Sequence, residues 1–198
     1  MARKAEWEKL KERSLKKFGE ESIFGEGSLN SLLAVVGEAP GKHEVEEGRP
    51  FVGNAGKLLD ELLEEAGIDR SKLYVTNVVK IRPTKESGGS TANRPPRAAE
   101  IREGIELLKE ELDLVKPRAL ALLGSTPAKA VIRKSFTLKS EHGTLFDTEF
   151  GMPALATHHP AYLLRLRGVG SEDYDRMRQQ LVDDLGAAWE HVQGSHDG

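Results

Sequence analysis

Cysteine is absent from the 198 residues of this sequence. Its absence excludes disulfide bonds, thiolate metal sites and a cysteine nucleophile among these residues. No apolar run approaches the ~20 residues that cross a bilayer, and the charged segment 1–17 lacks the apolar centre of a secretory signal. We therefore expect a cytoplasmic protein without a membrane partner. No two of its six histidines stand four residues apart, so we predict no metal ion, and no other cofactor is indicated.

The charges give a formal net value of −3 at pH 7, which is a weak argument against a nucleic-acid partner. Their arrangement matters more than their sum, because binding depends on the local field. Acidic residues concentrate in predicted helices. Basic residues concentrate in one loop and after a pair of histidines, at Lys80, Arg82, Lys85, Arg94, Arg97, Arg165 and Arg167. An acidic chain can thus present one basic face.

Four short apolar runs predict buried strands at 32–36, 73–79, 119–123 and 153–157. Helical periodicity predicts helices at 7–18, 55–66, 98–114 and 174–192, and a further helix after Gly124. Alternating strands and helices predict an α/β fold, a three-layer α/β/α arrangement with a central four-stranded parallel sheet. We expect a single domain over 1–198, with an N-terminal helix within 1–20, a long loop at 81–96 and a frayed tail at 194–198.

Chemistry-bearing residues follow all four predicted strands. They fall at 37–41, at Asn77, at 124–126 and at 158–162. Ligands of parallel α/β sheets bind at the carboxyl ends of the strands. The sequence therefore predicts a site at this edge of the sheet.

Two glycine-rich segments, 37–41 and 48–56, would let backbone N–H groups approach a ligand, although such turns often serve geometry alone. Phe51 in the second segment is either an aromatic wall for a flat ligand or a packed anchor of the loop. Asn77 offers one donor and one acceptor, the pair that a uracil edge needs, or is satisfied by nearby backbone.

The segment after the last strand reads His-His-Pro-Ala-Tyr-Leu-Leu-Arg. His159 could donate to a developing anion. Leu163 or Leu164 could wedge into a base stack, or could begin a buried helix. Arg165 could hold a phosphate, or could simply solvate that helix.

Four motifs together resemble the uracil-DNA glycosylase superfamily, specifically its family 4. They are GEAPG at 37–41 with Glu44, GRPFVGNAG at 48–56, TNVVK at 76–80 with the following Arg-Pro at 82–83, and HPAYLLR at 159–165. The resemblance covers roughly residues 35–185. It implies a monofunctional glycosylase of base excision repair that flips uracil, and perhaps other deaminated bases, out of single- or double-stranded DNA.

The resemblance also implies roles for individual residues. Glu38 would position the attacking water or stabilise the cationic sugar, and His159 would stabilise negative charge on the base. Uracil would contact Ala39, Glu44, Phe51 and Asn77. DNA would contact Lys80, Arg82, Arg94, Ser125, Leu163, Leu164 and Arg165. A monomer is expected, and no metal takes part.

The sequence departs from the family in one respect. The family holds an iron–sulfur cluster on four cysteines, whereas here Ile81 stands at the third position and the fourth falls near Gly104. We expect the helix at 7–18 and Ile81 to supply the packing instead. No histidine lies between His43 and His142, so we expect no covalent trapping of abasic DNA of the kind a related branch performs.

Two other interpretations stay open at this point. One is a non-catalytic binder of uracil-containing or abasic DNA on the same fold. The other is an unrelated α/β domain that binds a nucleotide or another small molecule.

Overall fold

The computed structural model describes residues 2–194. Within them the strands are β1 (Glu26–Gly27), β2 (Leu33–Gly37), β3 (Tyr74–Asn77), β4 (Thr84–Ser87), β5 (Ser90–Asn93), β6 (Ala119–Leu123), β7 (Leu145–Phe146) and β8 (Ala154–Thr157). The α-helices are α1 (Ala2–Phe18), α2 (Lys42–Glu47), α3 (Asn54–Glu65), α4 (Ala98–Val115), α5 (Ser125–Val131), α6 (Leu138–Glu141), α7 (Pro160–Gly168) and α8 (Tyr174–Gly194). A 3₁₀ turn spans Arg70–Lys72.

The main sheet has the strand order β1-β3-β2-β6-β8-β7. Its four central strands are parallel, and they are the four strands that the apolar runs predicted. Strands β1 and β7 add an antiparallel edge on either side. The predicted four-stranded sheet is therefore the parallel centre of a six-stranded mixed sheet.

Both faces of the sheet are covered, because side chains of a strand alternate between its faces. In β2, Leu33 and Val35 pack with α3, α7 and α8. Ala34 and Val36 pack on the opposite face with α4 and α5. The predicted three-layer α/β/α arrangement is confirmed.

The N-terminal helix α1 packs against α4 on the outside of the second layer. Leu10, Phe24 and Leu107 form a small buried cluster there. The indole Nε1–H of Trp7 donates to the hydroxyl of Tyr74 at 3.0 Å. Since Tyr74 begins β3, this bond ties the N-terminal segment to a strand that ends at the predicted site.

The predicted long loop at 81–96 is corrected by the structure, because β4 and β5 pair as an antiparallel hairpin there. Gly88 and Gly89 form its two-residue turn with φ values of 56° and 79°, which a type I′ turn requires. The predicted tail also starts too early, since Gly194 still belongs to α8 and 195–198 lie outside the described residues. No helix within residues 2–194 is long and apolar enough to cross a membrane.

Candidate active site

A cleft of about 1040 Å³ opens at the carboxyl ends of the parallel strands. Each of the four central strands contributes a polar residue at or just beyond its end. These residues are Glu38 after β2, Asn77 at the end of β3, Thr126 after β6 and His159 after β8. The structure thus brings together the four segments that the sequence placed at one edge of the sheet.

Glu44 joins the two glycine-rich segments that form one wall of the cleft. It lies in the first turn of α2 and is buried. One carboxylate oxygen accepts the N–H of Gly41 at 3.0 Å, and the other accepts those of Val52 and Gly53 at 3.2 and 3.1 Å. Because both oxygens are occupied by backbone, this carboxylate positions the loops.

Asn77 is buried at the end of β3 with 2% exposure. Within residues 2–194 its Oδ1 atom has no hydrogen-bond partner. A buried amide oxygen without a partner costs about 1–3 kcal/mol, so it indicates a ligand that donates to it. Gly37 makes room for this amide, since a Cβ atom there would lie 2.4 Å from Oδ1 and 2.4 Å from Cζ of Phe51.

Phe51 adopts a left-handed backbone conformation with φ of 52°, which costs a non-glycine residue free energy and tends to occur at functional sites. Its ring stacks on that of His159, with centroids 5.9 Å apart and an interplanar angle of 28°. The side chain is 5% exposed. It is therefore part of the core and leaves only a small area that could meet a base in the cleft.

His159 has a defined tautomer. The N–H of Ala161, in the first turn of α7, donates to its Nδ1 atom at 3.0 Å, so the proton of the neutral ring is on Nε2. Burial lowers the pKa of His159 to about 4, with a smaller contribution from the charge of Arg165. At neutral pH the ring is therefore an uncharged donor through Nε2–H.

Glu38 is half-buried directly after the carboxyl end of β2. Its Oε2 atom accepts a hydrogen bond from the hydroxyl of Thr126, which lies 88 positions away in α5. Its backbone carbonyl accepts the N–H of Val79 at 2.9 Å. These two contacts hold the carboxylate in the cleft between β2 and β6.

The neutral state of the His159 ring predicts a pH dependence of stability. The folded chain binds a proton at His159 only below pH about 4, whereas the unfolded chain does so below about 6.5. The free energy of unfolding should therefore fall as pH falls through this window, by at most about 3 kcal/mol from this group. The pKa of His158 is also lowered, chiefly by burial, and acts in the same direction.

Urea titrations at about pH 7 and about pH 4.5 would measure this loss of stability in wild type and in His159→Gln. The loss should be smaller in His159→Gln, because the glutamine does not titrate. An equal loss in both proteins would contradict the assignment of a depressed pKa to His159.

Comparison with known proteins identifies the family of this fold and site. The family model for the uracil DNA glycosylase superfamily matches residues 24–186. The chain belongs to the uracil-DNA glycosylase superfamily. It is 35% identical over 164 residues to a Type-4 uracil-DNA glycosylase of Thermotoga maritima, covering 82% of this chain and 79% of the relative. A Type-4 uracil-DNA glycosylase of Pyrobaculum aerophilum is 36% identical over 169 residues, covering 80% and 83%. The resemblance to family 4 is confirmed.

Two predicted DNA contacts of this superfamily member, Lys80 and Leu163, are corrected by the structure. Lys80 is 1% exposed, and its ammonium group lies 2.9 Å from the equally buried carboxylate of Glu111. Leu163 is fully buried in the core, and Leu164 is half-buried against the same core. Neither Lys80 nor Leu163 is free to reach DNA, whereas Leu164 is partly exposed and its contact with DNA stays a prediction.

The remaining predicted DNA contacts differ in accessibility. Ser125 and Arg165 are exposed and line the cleft. Arg94 also lines it, but its guanidinium makes two hydrogen bonds to Glu100, at 2.9 and 2.7 Å. Arg82 does not line the cleft and donates to Asn93 at 2.7 Å. Ala39 is half-buried and lines the cleft beside Glu38.

The iron–sulfur cluster implied by the family 4 resemblance does not fit these residues. Cluster ligation requires thiolates, and the sequence has none. The space is filled as well, since a Cβ atom at Gly104 would lie 2.0 Å from the carbonyl oxygen of Val78. Ile81 packs on the hydrophobic core beside α4.

The sequence interpretation placed Thr126 at the site within 124–126 but gave it no role, and it missed Glu111. Thr126 holds Glu38, and Glu111 pairs with Lys80. The position of Thr126 after a strand indicated a site residue, but nothing in the sequence indicated that it would bind Glu38. Glu111 carried no such signal, because it is one of many acids in an amphipathic helix.

Proposed function

We propose that this protein hydrolyses the N-glycosidic bond between uracil and deoxyribose in DNA, as a monofunctional glycosylase of base excision repair. The observation that carries the proposal is the convergence of three groups on one cleft. They are the Oδ1 atom of Asn77, which no residue within 2–194 satisfies, the Nε2–H of His159 and the carboxylate of Glu38. Together they can read a base, stabilise its departure and direct a water.

Asn77 reads the base in this mechanism. Its Oδ1 atom accepts the N3–H of uracil, and its amide N–H donates to O4. Ala39 seats the base from the β2 side, and Phe51 supports it from within the core. Glu44 acts on uracil indirectly, by holding both glycine-rich segments in place.

Cleavage of the glycosidic bond separates charge. His159 stabilises the negative charge on the base, and Glu38 stabilises the positive charge on the sugar. The electron pair of the C1′–N1 bond leaves with uracil and places negative charge on O2, where the Nε2–H of His159 donates. The oxygen of a water molecule bonds to C1′ of the cationic sugar. Glu38 stabilises that sugar and accepts the proton that the water loses. The pKa of His159, at about 4, keeps the ring uncharged at neutral pH. It therefore acts in this step as a neutral hydrogen-bond donor.

DNA reaches the cleft as single or double strands, from which the nucleotide is extruded. Ser125 and Arg165 are the exposed groups that would contact phosphates. Arg94 contributes less, because Glu100 already neutralises it. We further propose that residues 1–198 act as a single domain, as a monomer and in the cytoplasm.

The test uses a labelled oligonucleotide with one uracil, incubated with the protein and then cleaved by alkali at abasic sites. Wild type should produce strand breaks and release free uracil. Glu38→Gln should lower the rate by about a hundredfold or more, because the general base is lost. Glu47→Gln, at the exposed end of α2, is the matched control and should excise at the wild-type rate.

Absence of cleavage by wild type would overturn the proposal. If that protein still bound uracil-containing or abasic DNA, the fold would serve a non-catalytic binder. If it neither cut nor bound DNA, the site would serve a different ligand.

A further inference from the structure

A buried ion pair lies behind the residue that reads the base. Neither Lys80 nor Glu111 lines the cleft, and both side chains are fully buried. The ammonium group donates to the hydroxyl of Thr76 at 2.7 Å and to the carbonyl of Asn77 at 2.6 Å, and it lies 2.9 Å from Oε1 of Glu111. The hydroxyl of Thr76 in turn donates to Oε2 of Glu111 at 2.7 Å. The three side chains therefore form a closed network that includes the backbone of Asn77.

This network acts on Asn77 from the opposite side of the sheet. Thr76 and Asn77 are neighbours in β3, so their side chains point to opposite faces. The side chain of Thr76 lies on the face covered by α4, where it meets Glu111. Asn77 follows Val75 by two residues and shares its face, on which Phe51 packs. The ion pair can therefore affect a bound base only through Asn77.

The peptide group between Asn77 and Val78 is held at both of its polar atoms. Its carbonyl accepts the ammonium N–H of Lys80, and its N–H donates to the carbonyl of Gly37 at 2.9 Å. Because a peptide group is planar, these two bonds fix its orientation and constrain the direction in which the Asn77 side chain leaves the backbone. Within residues 2–194 the Oδ1 atom of Asn77 has no hydrogen-bond partner. The direction of the amide therefore depends on this backbone.

Helix α4 contacts the same segment at a second point. Gly104 precedes Glu111 by seven residues, two helical turns, so both lie on one face of the helix. A Cβ atom at Gly104 would lie 2.0 Å from the carbonyl oxygen of Val78, so the helix backbone packs directly on the residue after Asn77. Stability alone does not require the ion pair, because an apolar pair can replace a buried ion pair without loss. What an apolar pair cannot supply is the hydrogen bond to the Asn77 carbonyl.

We propose that the Lys80–Glu111 ion pair positions Asn77 for uracil recognition. It holds the Asn77–Val78 peptide so that the Asn77 amide meets both N3–H and O4 of the base. This inference rests on the proposed function. Without the ion pair the peptide can rotate, the amide loses its alignment, and uracil binds less tightly, although neither charged residue touches it.

The test is a double-mutant cycle between the ion pair and Asn77, measured as kcat/KM on an oligonucleotide with one uracil. Lys80→Met/Glu111→Leu should lower kcat/KM by about tenfold and weaken inhibition by free uracil to a similar degree, because the hydrogen bonds of the amide to the base are lost. In the Asn77→Ala background the same two substitutions should have little further effect, since the residue through which they act is gone. A purely structural role would give the same loss in both backgrounds.

Two further variants separate positioning from folding. Leu10→Ala is the matched control, because it opens the buried cluster between α1 and α4 and lowers stability without touching the Asn77 network. At a temperature at which urea denaturation shows it to be folded, its inhibition by uracil should equal that of wild type. Thr76→Val removes the hydroxyl that joins Lys80 to Glu111 and keeps both charges. It should lower kcat/KM by about threefold, and it replaces the double substitution in the cycle if that protein does not fold.

The outcomes distinguish this inference from the proposed function. Excision by wild type with equal losses in the wild-type and Asn77→Ala backgrounds would overturn the inference alone. Wild-type inhibition by uracil in a folded Lys80→Met/Glu111→Leu protein, or an equally weakened inhibition in Leu10→Ala, would also overturn it. No excision by wild type would overturn the proposed function, and the inference with it.

Discussion

His159→Ala should lower kcat for uracil excision by about a hundred- to a thousandfold, the usual effect of removing a donor from a developing oxyanion. The N–H of Ala161 occupies Nδ1, so only Nε2–H remains to meet the leaving base. The loss should appear in kcat, because negative charge on O2 develops only in the transition state. Affinity for abasic DNA should change little.

Single-turnover excision of a uracil oligonucleotide would measure this effect. His158→Ala is the matched control, since the neighbouring ring lies in the same cleft but its Nε2 atom is engaged with Gln180 at 3.1 Å. We expect that control to lose less than about tenfold. Equal losses in both variants would show that the segment needs its histidines for folding rather than for chemistry.

Lys80→Met should lower the free energy of unfolding by about 3–5 kcal/mol, because it leaves the carboxylate of Glu111 buried without its cation. The ammonium group also donates to the hydroxyl of Thr76 at 2.7 Å and to the carbonyl of Asn77 at 2.6 Å. Burial lowers the pKa of Lys80, and Glu111 opposes that shift. The stability of this buried ion pair therefore requires both Lys80 and Glu111.

Urea denaturation would compare this variant with the double variant Lys80→Met/Glu111→Leu and with Lys85→Met. The double variant should recover most of the loss, since an apolar pair can replace a buried ion pair. Lys85 is exposed on β4, and its substitution should change stability by less than about 0.5 kcal/mol. A double variant as unstable as the single one would show that charge pairing is not what Lys80 contributes.

The parallel centre of the fold could be predicted because its strands are buried on both faces and read as unbroken apolar runs. The edge strands could not, since β1 and β7 contain two residues each and depend on their neighbours for pairing. The β4–β5 hairpin was missed for a different reason. Its side chains are mostly exposed and polar, so it has no apolar alternation, although its Gly-Gly pair indicated a turn.

The placement of residues in the cleft was predictable where a residue ends or follows a strand, as Asn77, Glu38 and His159 do. The sequence interpretation was wrong where the burial of a side chain depends on a residue far away in the sequence. Lys80 stands in a basic stretch, and its burial depends on Glu111 in a helix 31 positions later. In the segment HPAYLLR, the rotation of α7 about its axis decides which side chains face the cleft. The number of residues from the histidine does not give that rotation.

The cross-link made by Glu44 has a consequence for motion. Three amides from two loops share one carboxylate, so outward movement of either loop breaks hydrogen bonds to the side chain that also holds the other. Local opening follows such cooperative units. We therefore expect the two loops of this cleft wall to open together more often than separately.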